Sequence, residues 1–268
     1  MVEKSPISPL IGAIAGDIIG SVYEFEGCKD GKVQFFADGC RFTDDTVLTL
    51  AVANWLTTPQ MPLSEMLASY AHNNPTAGYG GMFWRWCHFI DKAPYNSYGN
   101  GSAMRVSPVG CFASTIEEAM ELAEESAAVT HNHPEGIKGA QATAVAIVMA
   151  KNGADKKEIK EKLEELFDYD ISRTYEELRK EPYVFDVTCQ GTVPKALMCF
   201  LDSDSYEDCI AMAILTNKDC DTAAAIAGAV AGAYYGVPEE FKEKVFEMIP
   251  RGTIERFEKM LKRKKESI

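Results

Sequence analysis

Along the chain, apolar positions recur at helical intervals of three and four rather than in alternation. The spacing predicts helices over 9–24, 44–56, 63–72, 82–90, 116–129, 134–151 and 155–167. It continues with helices over 193–201, 206–215, 219–235, 239–249 and 253–264. Only 32–36 and 183–187 read as strands, both short. Helices without alternating strands argue against a doubly wound sheet and for an all-α architecture. Two helices carry glycine on one face: Gly12, Gly16 and Gly20 in the first, Gly228 and Gly232 in the 219–235 segment, which Gly236 stops. An interior glycine costs a helix about 1 kcal/mol against alanine, so such faces make sense where another backbone comes close. The two are expected to meet near the centre of the fold. In lipid this pattern would suggest membrane dimerisation, but these segments are too short and too polar. The charged stretch 156–165 reads as a solvated face with Ile159, Leu163 and Leu166 turned inward. The basic run 262–265 reads as a favourable helix C-terminus.

At 268 residues, with no low-complexity linker, the chain is expected to form one domain over 1–268. A net charge of −13 argues against a general affinity for nucleic acid, which needs clustered cations. Eight cysteines form no C-x-x-C pair and come no closer than ten residues, which suits reduced thiols in a cytoplasmic protein. The apolar segment 7–19 follows Glu3 and Lys4 and is broken by Asp17, so it reads as a buried helix rather than a signal peptide. No apolar run approaches the length of a membrane span.

The chemistry concentrates in two tetrads, Thr43-Asp44-Asp45-Thr46 and Asp219-Cys220-Asp221-Thr222, each opening an apolar helix. Capping accounts for part of this, because Asp and Thr accept hydrogen bonds from free amides at a positive helix end. A cap needs one acceptor, whereas each tetrad offers two carboxylates and at least one hydroxyl. That surplus of hard oxygen suits Mg²⁺, Mn²⁺ or Ca²⁺ better than Zn²⁺. If the two helices converge, four carboxylates meet and repel unless cations lie between them. Tyr98 to Arg105 is a Gly-rich turn whose amides suit an anion such as a diphosphate, although it lacks a dinucleotide fingerprint's third glycine and a P-loop lysine. Thr130-His131-Asn132-His133-Pro134 places two histidines before a helix, for local hydrogen bonding or a metal pair. No G-x-S-x-G elbow supports an esterase triad.

Together these residues resemble the ADP-ribosyl-glycohydrolase family. The matching pieces are Gly16-Asp17 with Gly20 and Glu24, Phe42 to Thr46, Gly99 to Arg105, Thr130-His131, Gly191 to Pro194, and Asp219 to Thr222, spanning about 8 to 240 in the family's order. The resemblance implies a single compact orthogonal helical domain with a dinuclear Mg²⁺ or Mn²⁺ site where helix N-termini converge. It implies Thr43, Asp44, Asp45, Asp219, Asp221 and Thr222 as ligands, and Asp45, Glu24 and Asp221 as catalytic carboxylates. Asn100, Gly101, Ser102 and His131 fall on the substrate side, with Asn100, Met104 and Arg105 also shaping the loop. The implied reaction cleaves the glycosidic bond at C1′ of an ADP-ribosylated protein or other conjugate. The acceptor stays open, since loops 73–81 and 29–41 would set it. A silent binding or structural protein of the same fold and a metal-dependent phosphohydrolase are the alternatives. One departure stands out: Asn217-Lys218 occupies the place of the family's usual Gly-Gly. The lysine would either attract a ligand's diphosphate or face solvent.

Overall fold

The two helices without a polar stripe lie at the centre, as an all-apolar surface requires. They are α1 (Ser8–Gly20), buried along its whole length, and α13 (Cys220–Tyr235), buried as far as Ala233. The computed structural model describes residues 4–28 and 31–266; Glu3 and positions 29 and 30 of the 29–41 loop lie outside the described residues. α1 and α13 run antiparallel at a separation only glycine permits. A Cβ on Gly12 would lie 2.2 Å from the Gly228 carbonyl oxygen, and one on Gly16 would lie 2.1 Å from that of Ala224. At the far end a Cβ on Gly20 would fall 2.5 Å from the Asp221 Cα. The C-terminus of α1 therefore rests directly on the first turn of α13.

Around this pair stand α2 (Asp44–Thr57), α3 (Leu63–Asn73), α4 (Gly81–Cys87), α5 (Gly101–Met104), α6 (Ser107–Phe112) and α7 (Ile116–Ala128). The remainder are α8 (Pro134–Lys151), α9 (Lys156–Phe167), α10 (Tyr175–Leu178), α11 (Cys189–Asp202), α12 (Tyr206–Ile214), α14 (Glu239–Met248) and α15 (Gly252–Glu266). The fold is all-α and forms one domain around one hydrophobic core. α11 and α12 pack on α13, α8 joins α7, α6 and α11, and α2 packs against α3 and α15. No helix among the described residues is long and apolar enough to cross a membrane.

Several boundaries differ from the sequence reading. α1 ends at Gly20 rather than 24, because the chain turns away once it meets α13, and Phe25 takes a positive φ of 67°. Glu24 thus sits on a turn instead of a helix. α11 begins at Cys189, where the Thr188 hydroxyl accepts the Gly191 amide at 3.1 Å, and it carries Pro194 inside it. The helix therefore starts four residues before the expected 193, its first turn carrying no apolar periodicity of its own. Neither 32–36 nor 183–187 forms a strand; an isolated antiparallel bridge joins Gly99 to Thr188, just after the second. On α9 the inward line is Ile159, Leu163 and Phe167, while Leu166 is exposed, since i+4 steps carry the stripe to 167. Lys264 does behave as a helix-end cation, donating to the Phe112 carbonyl at 2.9 Å and pairing with Glu118.

Gly16→Ala forces the central helices apart and is expected to destabilise by about 2–4 kcal/mol in urea unfolding, an overpacking cost with backbone on the far side. Gly81→Ala, which meets nothing within 4 Å and has no positive φ, serves as the neutral control. Equal midpoints for both variants would show that the close approach is not needed.

Candidate active site

The site is built where the C-terminal end of α1 meets the first turns of α2 and α13. Asp17, on the last turn but one of α1, is fully buried. Its carboxylate accepts the Thr43 amide at 2.9 Å, the Thr43 hydroxyl at 2.7 Å and the Thr46 amide at 3.1 Å, with the Thr46 hydroxyl as a fourth donor. These bonds fasten the N-terminus of α2 to α1. In sequence Asp17 showed only as a break in an apolar run and a matching motif residue, not as a candidate ligand. A lone acid amid thirteen helical positions that are otherwise apolar or small was the available signal.

Thr43 caps α2 as expected, accepting the Asp45 amide at 3.3 Å. Capping does not account for the second tetrad. Asp219 is the N-cap residue of α13, yet its side chain makes no cap bond. It accepts instead from the Asn100 side-chain amide at 2.6 Å, and Asn100 also donates to Thr192 at 3.0 Å. Asn100 therefore orients a carboxylate with its side chain. The Thr222 hydroxyl reaches Asp45 at 3.3 Å across 177 positions of sequence. Carboxylate oxygens of Asp17, Asp45 and Asp221 all lie within 4.8 Å of one another, as do those of Glu24, Asp219 and Asp221. Asp221 belongs to both groups. Asp44 stands outside both, at the cleft wall, where its amide donates to the Ala77 carbonyl at 2.9 Å.

Burial and mutual repulsion push these acids upward. Desolvation, then the charges of Asp221, Asp17 and Asp44, raise Asp45 well above the usual carboxylate range. Asp44 rises to about 8 through burial and the Asp17 charge, Glu24 to about 7 through burial and Asp219, and Asp219 to about 6 through burial. Asp45 also keeps one carboxylate oxygen, Oδ1, buried without a hydrogen-bond partner. Surplus hard oxygen, an orphaned acceptor and unrelieved like charge are what a divalent cation would resolve, so the residues present fit such ions.

Above the acids opens a cleft of about 410 Å³ lined by Glu24, Asp44, Asp45, Asp219, Asp221 and Thr222 on one side and by Gly99, Asn100, Gly101, Arg105 and His131 on the other. His131 is buried and held neutral, its pKa pushed well below the usual value by burial and by Arg105. Ser102 does not line the cleft: its hydroxyl donates to the Gly136 carbonyl at 2.7 Å. Any contact Ser102 makes with a ligand falls to its backbone. His133 caps α8, accepting the Glu135 amide at 3.1 Å, so the two histidines of the 130–134 turn take separate tasks. At the mouth Phe25 and Phe185 stack at 5.1 Å, both exposed, a pair the sequence did not reveal. Lys218 lies with its ammonium 5.9 Å from the Tyr183 ring and outside the cleft lining, while Asn217 accepts the Asp219 amide at 3.1 Å.

The sequence pattern of the family described as ADP-ribosylglycohydrolase matches residues 8–267. Mouse (Mus musculus) ADP-ribosylhydrolase ARH3 is 26% identical over 321 residues, covering 87% of this chain and 85% of that protein. ADP-ribosylarginine hydrolase Tri1 of Pseudomonas putida is 27% identical over 287 residues, covering 88% of this chain and 72% of that protein. A solved structure described as an ADP-ribosylglycohydrolase-related protein complex aligns with a TM-score of 0.71 over 96% of this chain and 95% of that one; at 22% identity it bears on the fold. The fold and these likenesses define a glycosidic-bond hydrolase. The chain belongs to the ADP-ribosylglycohydrolase family.

Thr46→Val keeps the shape of a buried residue but removes its hydroxyl bond to Asp17. A loss of about 1.5–3 kcal/mol is expected, the range for hydrogen bonds to charged groups, with Thr46→Ser retaining most of the stability. A Val variant unfolding at the wild-type urea concentration would mean that Asp17 does not fasten α2.

Proposed function

We propose that the chain, as one domain over 1–268, hydrolyses the bond between C1′ of ADP-ribose and an acceptor, with two Mg²⁺ or Mn²⁺ ions as cofactors. The observation that carries this reading is the pair of carboxylate groups sharing Asp221 on the floor of one cleft. Thr43, Asp44, Asp45, Asp219, Asp221 and Thr222 would hold the ions, and the placement of Asp17 adds it to that set. When bound, divalent ions would neutralise the carboxylates and polarise the ribose hydroxyls.

The chain's own groups do the rest. The diphosphate docks against the Gly101 end and His131, which directs C1′ toward the acids. As the C1′–acceptor bond breaks, positive charge grows on the ribose ring, and the carboxylates beneath it stabilise that charge electrostatically. Water adds its hydroxyl to C1′ and gives the remaining proton to Asp45 or Glu24, which returns it to the departing acceptor, so that the carboxylate ends as it began. Glu24, on its turn at the mouth, has a carboxylate within 4.8 Å of those of Asp219 and Asp221, which suits it to exchange a proton with water approaching C1′. The Phe25–Phe185 pair borders the side from which the acceptor departs. The partner is an ADP-ribosylated protein or another ADP-ribose conjugate; the name of the Pseudomonas relative favours arginine among acceptors. A cytoplasmic setting accords with the absence of disulfides.

Asp44→Ala combined with Asp221→Ala is expected to lower turnover roughly 10²–10³-fold or more while helical circular dichroism is retained. The assay supplies ADP-ribosyl-arginine, -serine and -nucleic acid with and without Mg²⁺ and identifies the product. Intact ADP-ribose is expected; AMP or phosphate would replace this reading with a phosphohydrolase. Binding of ADP-ribose without turnover of any conjugate would mark a silent binder.

A further inference from the structure

Arg105 is the unusual residue of the cleft's far side. It is fully buried, and among the described residues no carboxylate faces it. The titratable groups around it are Tyr95, Cys189 and Cys87, which burial raises to about 12, 12 and 11, so all are neutral near pH 7. Its Nε and Nη1 have no hydrogen-bond partner and no access to solvent. Only Nη2 is engaged, donating to the Ser126 carbonyl at 3.0 Å and to the Thr130 hydroxyl at 2.8 Å. That hydroxyl lies 2.7 Å from His131 Nδ1. The other ring nitrogen, Nε2, faces the Gly-rich turn: a Cβ on Gly101 would sit 3.1 Å from it, and one on Gly99 would sit 3.6 Å from it.

We infer that Arg105 is a positioning residue, acting through Thr130 to hold His131 as the tautomer protonated on Nε2, so that a hydrogen-bond donor points at an anion docked on the Gly99–Gly101 turn. Three steps lead there. A guanidinium only donates, so Thr130 Oγ1 accepts from Arg105. A hydroxyl polarised by a cation becomes the better donor and the poorer second acceptor, which directs its proton to His131 Nδ1. A proton on Nδ1 would also set the positive end of the imidazole dipole toward an uncompensated cation, whereas a proton on Nε2 turns that end away. Tyr95, also near Thr130, offers a phenol oxygen, a weaker acceptor than an imidazole nitrogen. The sealed guanidinium touches no ligand itself; His131 delivers its influence to the cleft. That the anion is the diphosphate of ADP-ribose rests on the proposed function, whereas the tautomer does not.

Nitrogen-15 NMR of histidine-labelled protein without ligand reads the tautomer directly. Protonated Nε2 and bare Nδ1 are expected, unchanged between pH 6 and 8. Thr130→Val should yield mixed tautomers and weaken ADP-ribose binding roughly tenfold, about one charge-assisted hydrogen bond, with Mg²⁺ affinity unaltered. Thr130→Ser should restore both readouts. Gly101→Ala should weaken ADP-ribose binding while leaving the tautomer in place. Protonated Nδ1 in the wild type, or a Val variant with wild-type tautomer and affinity, overturns the inference. The expected tautomer in a protein that fails to bind ADP-ribose would instead overturn the proposed function.

Discussion

The contact between the backbones of α1 and α13 fixes everything else. Each glycine on this line forgoes about 1 kcal/mol of helix propensity, and in return two helices approach until a methyl group would strike a carbonyl oxygen. That approach sets Gly20 on the first turn of α13, which brings Asp17 and Asp221 to the same place. Asp17 then recruits α2 through four donors from Thr43 and Thr46. The carboxylates gather although they repel, because the apolar length of both central helices lies behind them. Stability is generated along the helix pair and spent at one end of it.

The cleft is polarised as a result. At one end lie acids lifted above their ordinary range by burial and by one another; at the other lies an arginine without a counter-ion. Neither end is compensated by the protein, and the two do not pair with each other. A ligand that brings anionic charge to one side and leaves oxygen-rich, cation-compatible groups at the other relieves both. ADP-ribose has that distribution, with its diphosphate set apart from the ribose that carries C1′. On the proposed function, that distribution would orient the ligand by electrostatics before any close contact is considered.

Much of this was legible in the sequence because it rests on local signals. Gly12, Gly16, Gly228 and Gly232 announced the close helix pair, and the two Asp-rich tetrads announced the acids. What escaped depended on tertiary context. Asp17 belonged to a matching motif but was not marked as a ligand, since its importance lies in donors 26 and 29 positions away. Phe25 and Phe185 stack across 160 positions, and no periodicity reports that. The start of α11 escaped as well, because Thr188 caps it ahead of the apolar run that begins at Val193. Ser102 and Asn100 illustrate the remaining gap. The resemblance put both on the substrate side; the first donates its hydroxyl to the Gly136 carbonyl, while the second lines the cleft and donates its amide to Asp219, tasks that residue type does not announce.

The departure at Asn217-Lys218 can now be argued from its surroundings. Glycine at these positions would leave the turn before α13 flexible and the Asp219 amide open. Asn217 instead accepts that amide and lies close to the Asp186 carbonyl, tying the turn to the 183–187 segment. The Lys218 backbone makes two further bonds that glycine could make as well: its amide donates to the Val184 carbonyl at 3.2 Å and its carbonyl accepts from the Phe25 amide. The Lys218 ammonium lies 5.9 Å from the Tyr183 ring and outside the cleft lining, so it brings no charge to the acidic floor. What the pair adds over glycine is the Asn217 side chain, which ties the turn before α13 to Asp186 at the mouth. Its consequence belongs to the stiffness of the mouth rather than to the charge of the acidic floor. A stiffer mouth admits fewer acceptor shapes, because ordering entropy is already spent before the conjugate arrives.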